Sequence, residues 1–308
     1  MMELTCCENI DETRAYRDRT LYGDGRVLTN LVKSEERYSF NVVCDVRGEV
    51  TPEMRRIVIE WMKDVTEEQK RQDEVFLLAV NYMNRYLSMR TVRKTQLQLL
   101  GTACMFIASK LREANPMSAQ LLRSYTDNSI TIEELLMWEE LILSQLKWEI
   151  AVVTPLDFLQ HIMQRVPTES IGIRESMVDD HAKTLIAYCM YEPTFWNCPP
   201  SLTAAACLIS ALHGVQWTEK SGKTLGFLCD VVNKLLGIDA DCLLVWYKRV
   251  EEMLERAMNQ SGESGKNYDE FDKRAENVTP TVGKLGCVET ATTPTDVHDV
   301  HLDYEGYM

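Results

Sequence analysis

Residues 95–113 carry an apolar run that leaves no wide polar face when wound as a helix. Leu97, Leu99, Leu100, Ala103, Cys104, Met105, Phe106, Ile107, Ala108 and Leu111 are spread around its circumference. Such a helix is stable only when other helices cover it on every side. It is too short, and too interrupted by Gln98, Gly101 and Thr102, to cross a bilayer, so the cover must be protein. Gly101, Ala103 and Ala108 let neighbouring helices approach closely. Lys110 stands in the last turn, where its charge complements the negative helix end. An unpaired buried ammonium is very costly. Lys110 therefore either runs its aliphatic stem out to water or presents a fixed cation on a binding face.

The run has a copy further along the chain. Thr102-Ala-Cys-Met-Phe-Ile-Ala-Ser-Lys-Leu111 aligns with Thr203-Ala-Ala-Ala-Cys-Leu-Ile-Ser-Ala-Leu212, and Leu135-Leu-Met-Trp-Glu-Glu140 with Leu243-Leu-Val-Trp-Tyr-Lys248. Apolar residues recur at helical spacing around both copies, and glycine and proline are sparse, which predicts an all-α protein. One helix starts at Thr51-Pro52-Glu53, with Thr as cap, Pro at the first position and an acid in the first turn. Others are expected over 72–87, 95–113, 118–125 and 131–146, the last capped by Thr131 with Glu133 and Glu134 behind it. A second group is expected over 155–165, 176–191, 201–212, 220–228 and 239–258. The chain thus divides into a polar arm (1–25), two five-helix domains (26–152 and 153–258) and a disordered acidic tail (259–308). A short amphipathic helix over 26–38 is expected to lie on the first domain. The apolar frame is copied between the domains but the charges are not: Lys110 aligns with Ala211, and Glu139 with Tyr247. Two charges present in one copy alone point to a job that only that copy performs.

The formal charge of −14 argues against a nucleic-acid partner, because phosphate contacts need clustered Lys and Arg. Ten cysteines accompany an N-terminus with no basic start and no apolar run, and there is no Cys-x-x-Cys. Free thiols in a reducing, intracellular compartment are expected. The histidines have no metal-ligand spacing. No Gly-rich phosphate loop, nucleophile elbow or membrane span occurs either. We therefore expect no enzyme activity, catalytic residue, cofactor, metal or membrane association.

Three further patterns stand out. Met54, Ile57, Val58 and Trp61 form one apolar stripe at i, i+3, i+4 and i+7, which serves either the core or a docking surface. Leu4, Cys6 and Glu8 alternate, so in an extended segment they share one face that a partner's pockets could receive. Thr293-Pro294 lies in a tail where ten acids face four bases. A phosphate would add roughly −1.5 to −2 charge with no nearby Arg cluster to neutralise it, which favours an external reader over a folding switch.

Met54-Arg-Arg-Ile-Val-Ile-Glu-Trp-Met, Asn81-Tyr-Met-Asn-Arg-Tyr-Leu, Leu97-Gln-Leu-Leu-Gly-Thr-Ala-Cys-Met-Phe-Ile-Ala-Ser-Lys, Tyr125-Thr-Asp-Asn-Ser-Ile and Leu146-Lys-Trp-Glu resemble the cyclin box. Within that family they look most like the D type, which acts in G1. The likeness is strong over 26–165, weaker in the second repeat, and returns at Thr292-Thr-Pro-Thr-Asp-Val; residues 262–286 and 301–308 depart from it. The resemblance implies tandem five-helix cyclin folds and an activating subunit of a G1-type cyclin-dependent kinase of the four/six class. Lys110, Glu139 and Leu111 would face the kinase. Met54, Ile57, Val58, Trp61, Leu97 and Gln98 would dock Arg-x-Leu-type segments of substrates and cyclin-dependent kinase inhibitors, with Asp64 receiving the arginine. Leu4, Cys6 and Glu8 would bind retinoblastoma-family pocket proteins. Phosphorylation of Thr293, next to Pro294, would trigger nuclear export and destruction through a ubiquitin ligase, which implies residence in nucleus and cytoplasm. The alternative is a cyclin-fold transcription-associated adaptor or scaffold acting without a G1 kinase. A version gripping DNA would need a basic face that this acidic chain lacks.

Overall fold

A computed structural model describes residues 18–38, 49–166, 168 and 172–272, and among these every regular element is helical. Two short helices, α1 (Arg19–Gly23) and α2 (Gly25–Arg37), precede the first bundle. That bundle comprises α3 (Pro52–Glu68), α4 (Asp73–Met89), α5 (Leu97–Arg112), α6 (Ala119–Ser124) and α7 (Ile132–Gln145). The second comprises α8 (Pro155–Met163), α9 (Glu175–Tyr191), α10 (Pro200–Gly214), α11 (Trp217–Ser221), α12 (Leu225–Leu236) and α13 (Ala240–Asp272).

Local chemistry starts these helices where the sequence places them. The Thr51 hydroxyl accepts from the Met54 N–H at 3.2 Å, with Pro52 and Glu53 in the first turn of α3. Thr131 and Glu134 cap α7 reciprocally, at 3.1 and 2.7 Å. Asp157 accepts from the Thr154 N–H at 2.6 Å at the head of α8. Each bundle is built around its apolar run. In α5 every residue from Leu97 to Ser109 is buried, with α3, α4, α6 and α7 packed about it. In α10 every residue from Ser201 to Leu212 is buried among α8, α9, α12 and α13.

Four expectations need correction. The helix expected over 220–228 is two helices, because Gly222 adopts φ +65° and ends α11 before Thr224 starts α12. The last helix, expected to end at 258, runs on as α13 to Asp272; no proline interrupts it, and extending a formed helix adds a hydrogen bond per residue. The arm is helical at its end, where the Tyr22 carbonyl lies 3.1 Å from His161 Nδ1 on α8 and accepts from Arg165 at 3.3 Å. Finally, α2 packs chiefly on the second bundle rather than the first. It packs against α8, α10 and α12, burying Leu28, and its Glu35 accepts from the Ser201 N–H at 2.8 Å, capping the start of α10.

The bundles meet through α3, α4 and α9. The Arg55 guanidinium lies 5.1 Å over the Trp196 ring, and the Phe76 and Tyr191 rings are 6.3 Å apart. The connection between bundles is pinned to α4, since Tyr82 donates to the Ile150 carbonyl at 2.7 Å and Arg85 to that of Glu149 at 2.7 Å.

Candidate functional site

At the end of α5 the buried register breaks out to solvent. Lys110 Nζ reaches both oxygens of Glu139 on α7, at 2.7 and 2.9 Å, and sits 3.7 Å from the centre of the Phe106 ring. The lysine side chain is 42% exposed and the glutamate 16%. The cation is therefore neither sealed in the core nor trailing freely into water. It is held between a carboxylate and an aromatic face. Leu111 emerges beside it at 38% exposure, and α7 adds Leu136, Met137 and Leu141 at 46%, 51% and 45%. Leu136, three residues before Glu139, shares its side of α7, whereas Met137 and Leu141 lie about 160° round the helix from it. A fixed ion pair flanked by the exposed Leu111 and Leu136 has the composition of a protein-binding surface.

The second bundle lacks this arrangement. Ala211 is buried, and the Tyr247 hydroxyl lies 3.2 Å from His213 Nδ1. Glu251 there accepts from Ser210 at 2.6 Å. The asymmetry read from the repeat thus survives in three dimensions. What the sequence did not reveal is that Lys110 and Glu139 satisfy each other, or that Leu136, Met137 and Leu141 on α7 are exposed. Leu135-Leu136-Met137 did carry a signal: its apolar width exceeds what the buried face of α7, formed by Leu135, Trp138, Ile142 and Leu143, needs.

The stripe on α3 divides. Val58, Trp61 and Leu97 are core residues, at 4%, 8% and 3% exposure, because α3 and α5 cross there with Gly101 at the contact. Ile57 is exposed and Met54 half-buried, so the accessible apolar surface is narrower than four residues in a row. Gln98 is buried beneath, and its Nε2 has no hydrogen-bond partner. Asp64 is exposed, at the mouth of a crevice between α3 and α9 that it shares with Glu67, Asp180 and Tyr191. Partial burial, then Glu67 and Glu60, raise its carboxyl above the usual aspartate range. Lys63 and Lys183 line the same crevice, Lys63 pairing with Glu67 at 3.0 Å.

Leu4, Cys6, Glu8, Thr293 and Pro294 lie outside the described residues. Among the described residues no cysteine is disulfide-bonded, and burial pushes the Cys198 thiol up to about 12. Among them no group of His, Cys, Asp or Glu could hold a metal ion, and no helix is long and apolar enough to cross a membrane.

The cyclin N-terminal domain family matches residues 26–151, and the cyclin C-terminal domain family matches residues 153–275. The chain is 40% identical over 304 residues to G1/S-specific cyclin-D2 of Rattus norvegicus, spanning 98% of this chain and 100% of that one. It is 39% identical over 304 residues to G1/S-specific cyclin-D1 of Homo sapiens, spanning 97% and 99%. The X-ray structure of a viral cyclin from herpesvirus saimiri is similar in fold, with a TM-score of 0.63 at 26% identity over 75% of this chain and 98% of that chain. Two helical bundles in tandem, matched along nearly their whole length by these relatives, place the chain in the cyclin family as a D-type member, a regulatory protein rather than an enzyme.

Proposed function

We propose that this cyclin is the activating subunit of a G1-type cyclin-dependent kinase of the four/six class and directs it to retinoblastoma-family proteins at the G1/S transition. The observation that carries this reading is the accessible Lys110–Glu139 pair flanked by the exposed Leu111 and Leu136, absent from the second bundle. The two leucines bury against the kinase helix that bears the catalytic glutamate, and the ion pair meets that helix's polar groups. The cyclin does no chemistry. It stabilises the kinase state in which that helix is swung in and its glutamate pairs with the ATP-positioning lysine.

Lys110→Glu tests the contact. It places two like charges where a pair stood, in a surface that becomes desolvated on binding, which costs several kcal/mol of affinity. The exposed pair contributes at most about 1 kcal/mol to folding. The variant should therefore lose co-purification with the kinase while its circular dichroism stays unchanged. Undiminished capture of the kinase would reject the assignment.

The remaining contacts rest on the resemblance and on local chemistry. Met54 and Ile57, with Asp64, suit a short segment carrying an arginine and an apolar residue, as in inhibitors and substrates, with Gln98 buried beneath them. Leu4, Cys6 and Glu8 engage the pocket proteins. Phosphorylated Thr293 in its acidic surroundings is read by a ubiquitin ligase, and the protein moves between nucleus and cytoplasm. Cys6→Gly combined with Glu8→Ala should weaken pull-down of a retinoblastoma fragment and spare kinase binding; loss of both would make the arm structural.

A further inference from the structure

The leading arm meets the folded body through one small contact. Helix α1 has five residues, too few to persist by itself. Among its described side chains only Tyr22 is half-buried, while Leu21 beside it is 55% exposed. The Tyr22 ring stands edge-on to that of His161 on α8, with centroids 5.2 Å apart. His161 itself is buried. The Tyr22 carbonyl accepts from Arg165 at 3.3 Å and lies 3.1 Å from His161 Nδ1, which carries the proton there because a carbonyl can only accept. Arg165 also donates to the His161 carbonyl at 2.6 Å, so the two donors are fixed to each other. What holds α1 is this clip, not a share of the core.

So small a contact adds little apolar burial, but it sets where the arm leaves the body. Asp18, the N-cap of α1, accepts from the Thr20 N–H at 2.8 Å. Nine residues, 9–17, separate it from Glu8. A chain of that length reaches at most about 35 Å, which confines whatever Leu4, Cys6 and Glu8 engage to the neighbourhood of α8. With α1 released, the first anchored residue would be the buried Leu28, and the tether would grow to nineteen residues, 9–27. Effective concentration falls as roughly the −3/2 power of tether length, so this doubling costs about threefold. We propose that Tyr22, gripped by His161 and Arg165, is a positioning residue that keeps a retinoblastoma-family substrate held by the arm concentrated at the kinase. The proposal rests on the pocket-protein reading of Leu4, Cys6 and Glu8.

The test follows phosphorylation by the full-length chain assembled with its kinase, on two substrates: a retinoblastoma fragment containing the pocket domain, and a short phosphoacceptor peptide without it. Tyr22→Ala should raise KM for the fragment about threefold, with kcat and the peptide kinetics unchanged. Tyr22→Phe, which keeps the ring against His161, should match wild type. Inserting about ten Gly and Ser residues within 9–17 lengthens the tether without touching α1 and should reproduce the Tyr22→Ala effect. An unchanged fragment KM in either of these altered proteins, or an equal rise with the peptide, would overturn the proposal. Cys6→Gly combined with Glu8→Ala separates the two readings. A raised fragment KM there beside unchanged Tyr22→Ala kinetics rejects the clip alone, and no rise there rejects the pocket-protein reading and this proposal with it.

Discussion

Gly101 shows how tightly a single position can be specified. A Cβ built there would lie 2.9 Å from Val58 Cγ1 and 3.2 Å from Met62 Sδ, with the branched Val58 side chain itself buried. Glycine inside a helix is normally a loss of roughly 1 kcal/mol relative to alanine. Here that loss is outweighed by the approach of α3 to α5. Gly101→Val should destabilise the protein by about 2 kcal/mol through overpacking, read as a lower denaturant midpoint. Adding Val58→Ala should return part of that loss; strict additivity of the two changes would mean that they do not meet. The same crossing explains why Val58 and Trp61 could not be sorted from Ile57 by sequence. Helical spacing gives the width of an apolar stripe, but the boundary between packed and accessible residues is set by the neighbour.

Among the elements, α5 and α10 were legible in the sequence because an all-round apolar helix has only one environment open to it. The caps at Thr51 and Thr131 were legible because their chemistry is local. The placement of α2 was not: its amphipathic stripe demands burial without saying against which bundle. Its docking has a pH signature. Burial pushes the Glu35 carboxyl above the usual glutamate range, opposed by hydrogen bonds from Ser201. The folded state then holds this proton more tightly than the unfolded chain. Its contribution to stability is fully present below the unfolded pKa and is lost as pH rises through the raised folded one. Glu35→Gln keeps an acceptor for the Ser201 N–H and cannot ionise. The stability of the variant relative to wild type should therefore improve as pH rises from acid towards neutral, measured as denaturation midpoints. Parallel curves would place the Glu35 carboxylate in water.

At the scale of the whole molecule, the duplication supplies two scaffolds and the differences between them supply function. One scaffold presents an ion pair between exposed leucines, and the other uses the corresponding positions for its own packing. Net charge acts at this scale too. With −14 overall, the full chain should pass unretained over immobilised duplex DNA at low ionic strength. Retention that falls with added salt would favour the transcription-associated alternative. The attachment of α2 to the distal bundle bears on how experiments on the leading residues are designed. Trimming the protein back to Tyr38 would strip a wall from α8, α10 and α12 as well as whatever Leu4, Cys6 and Glu8 engage. Such a truncation is two lesions in one, and its phenotype belongs to neither alone. Point changes in the first ten positions avoid that confusion, because they leave the strut formed by α2 in place.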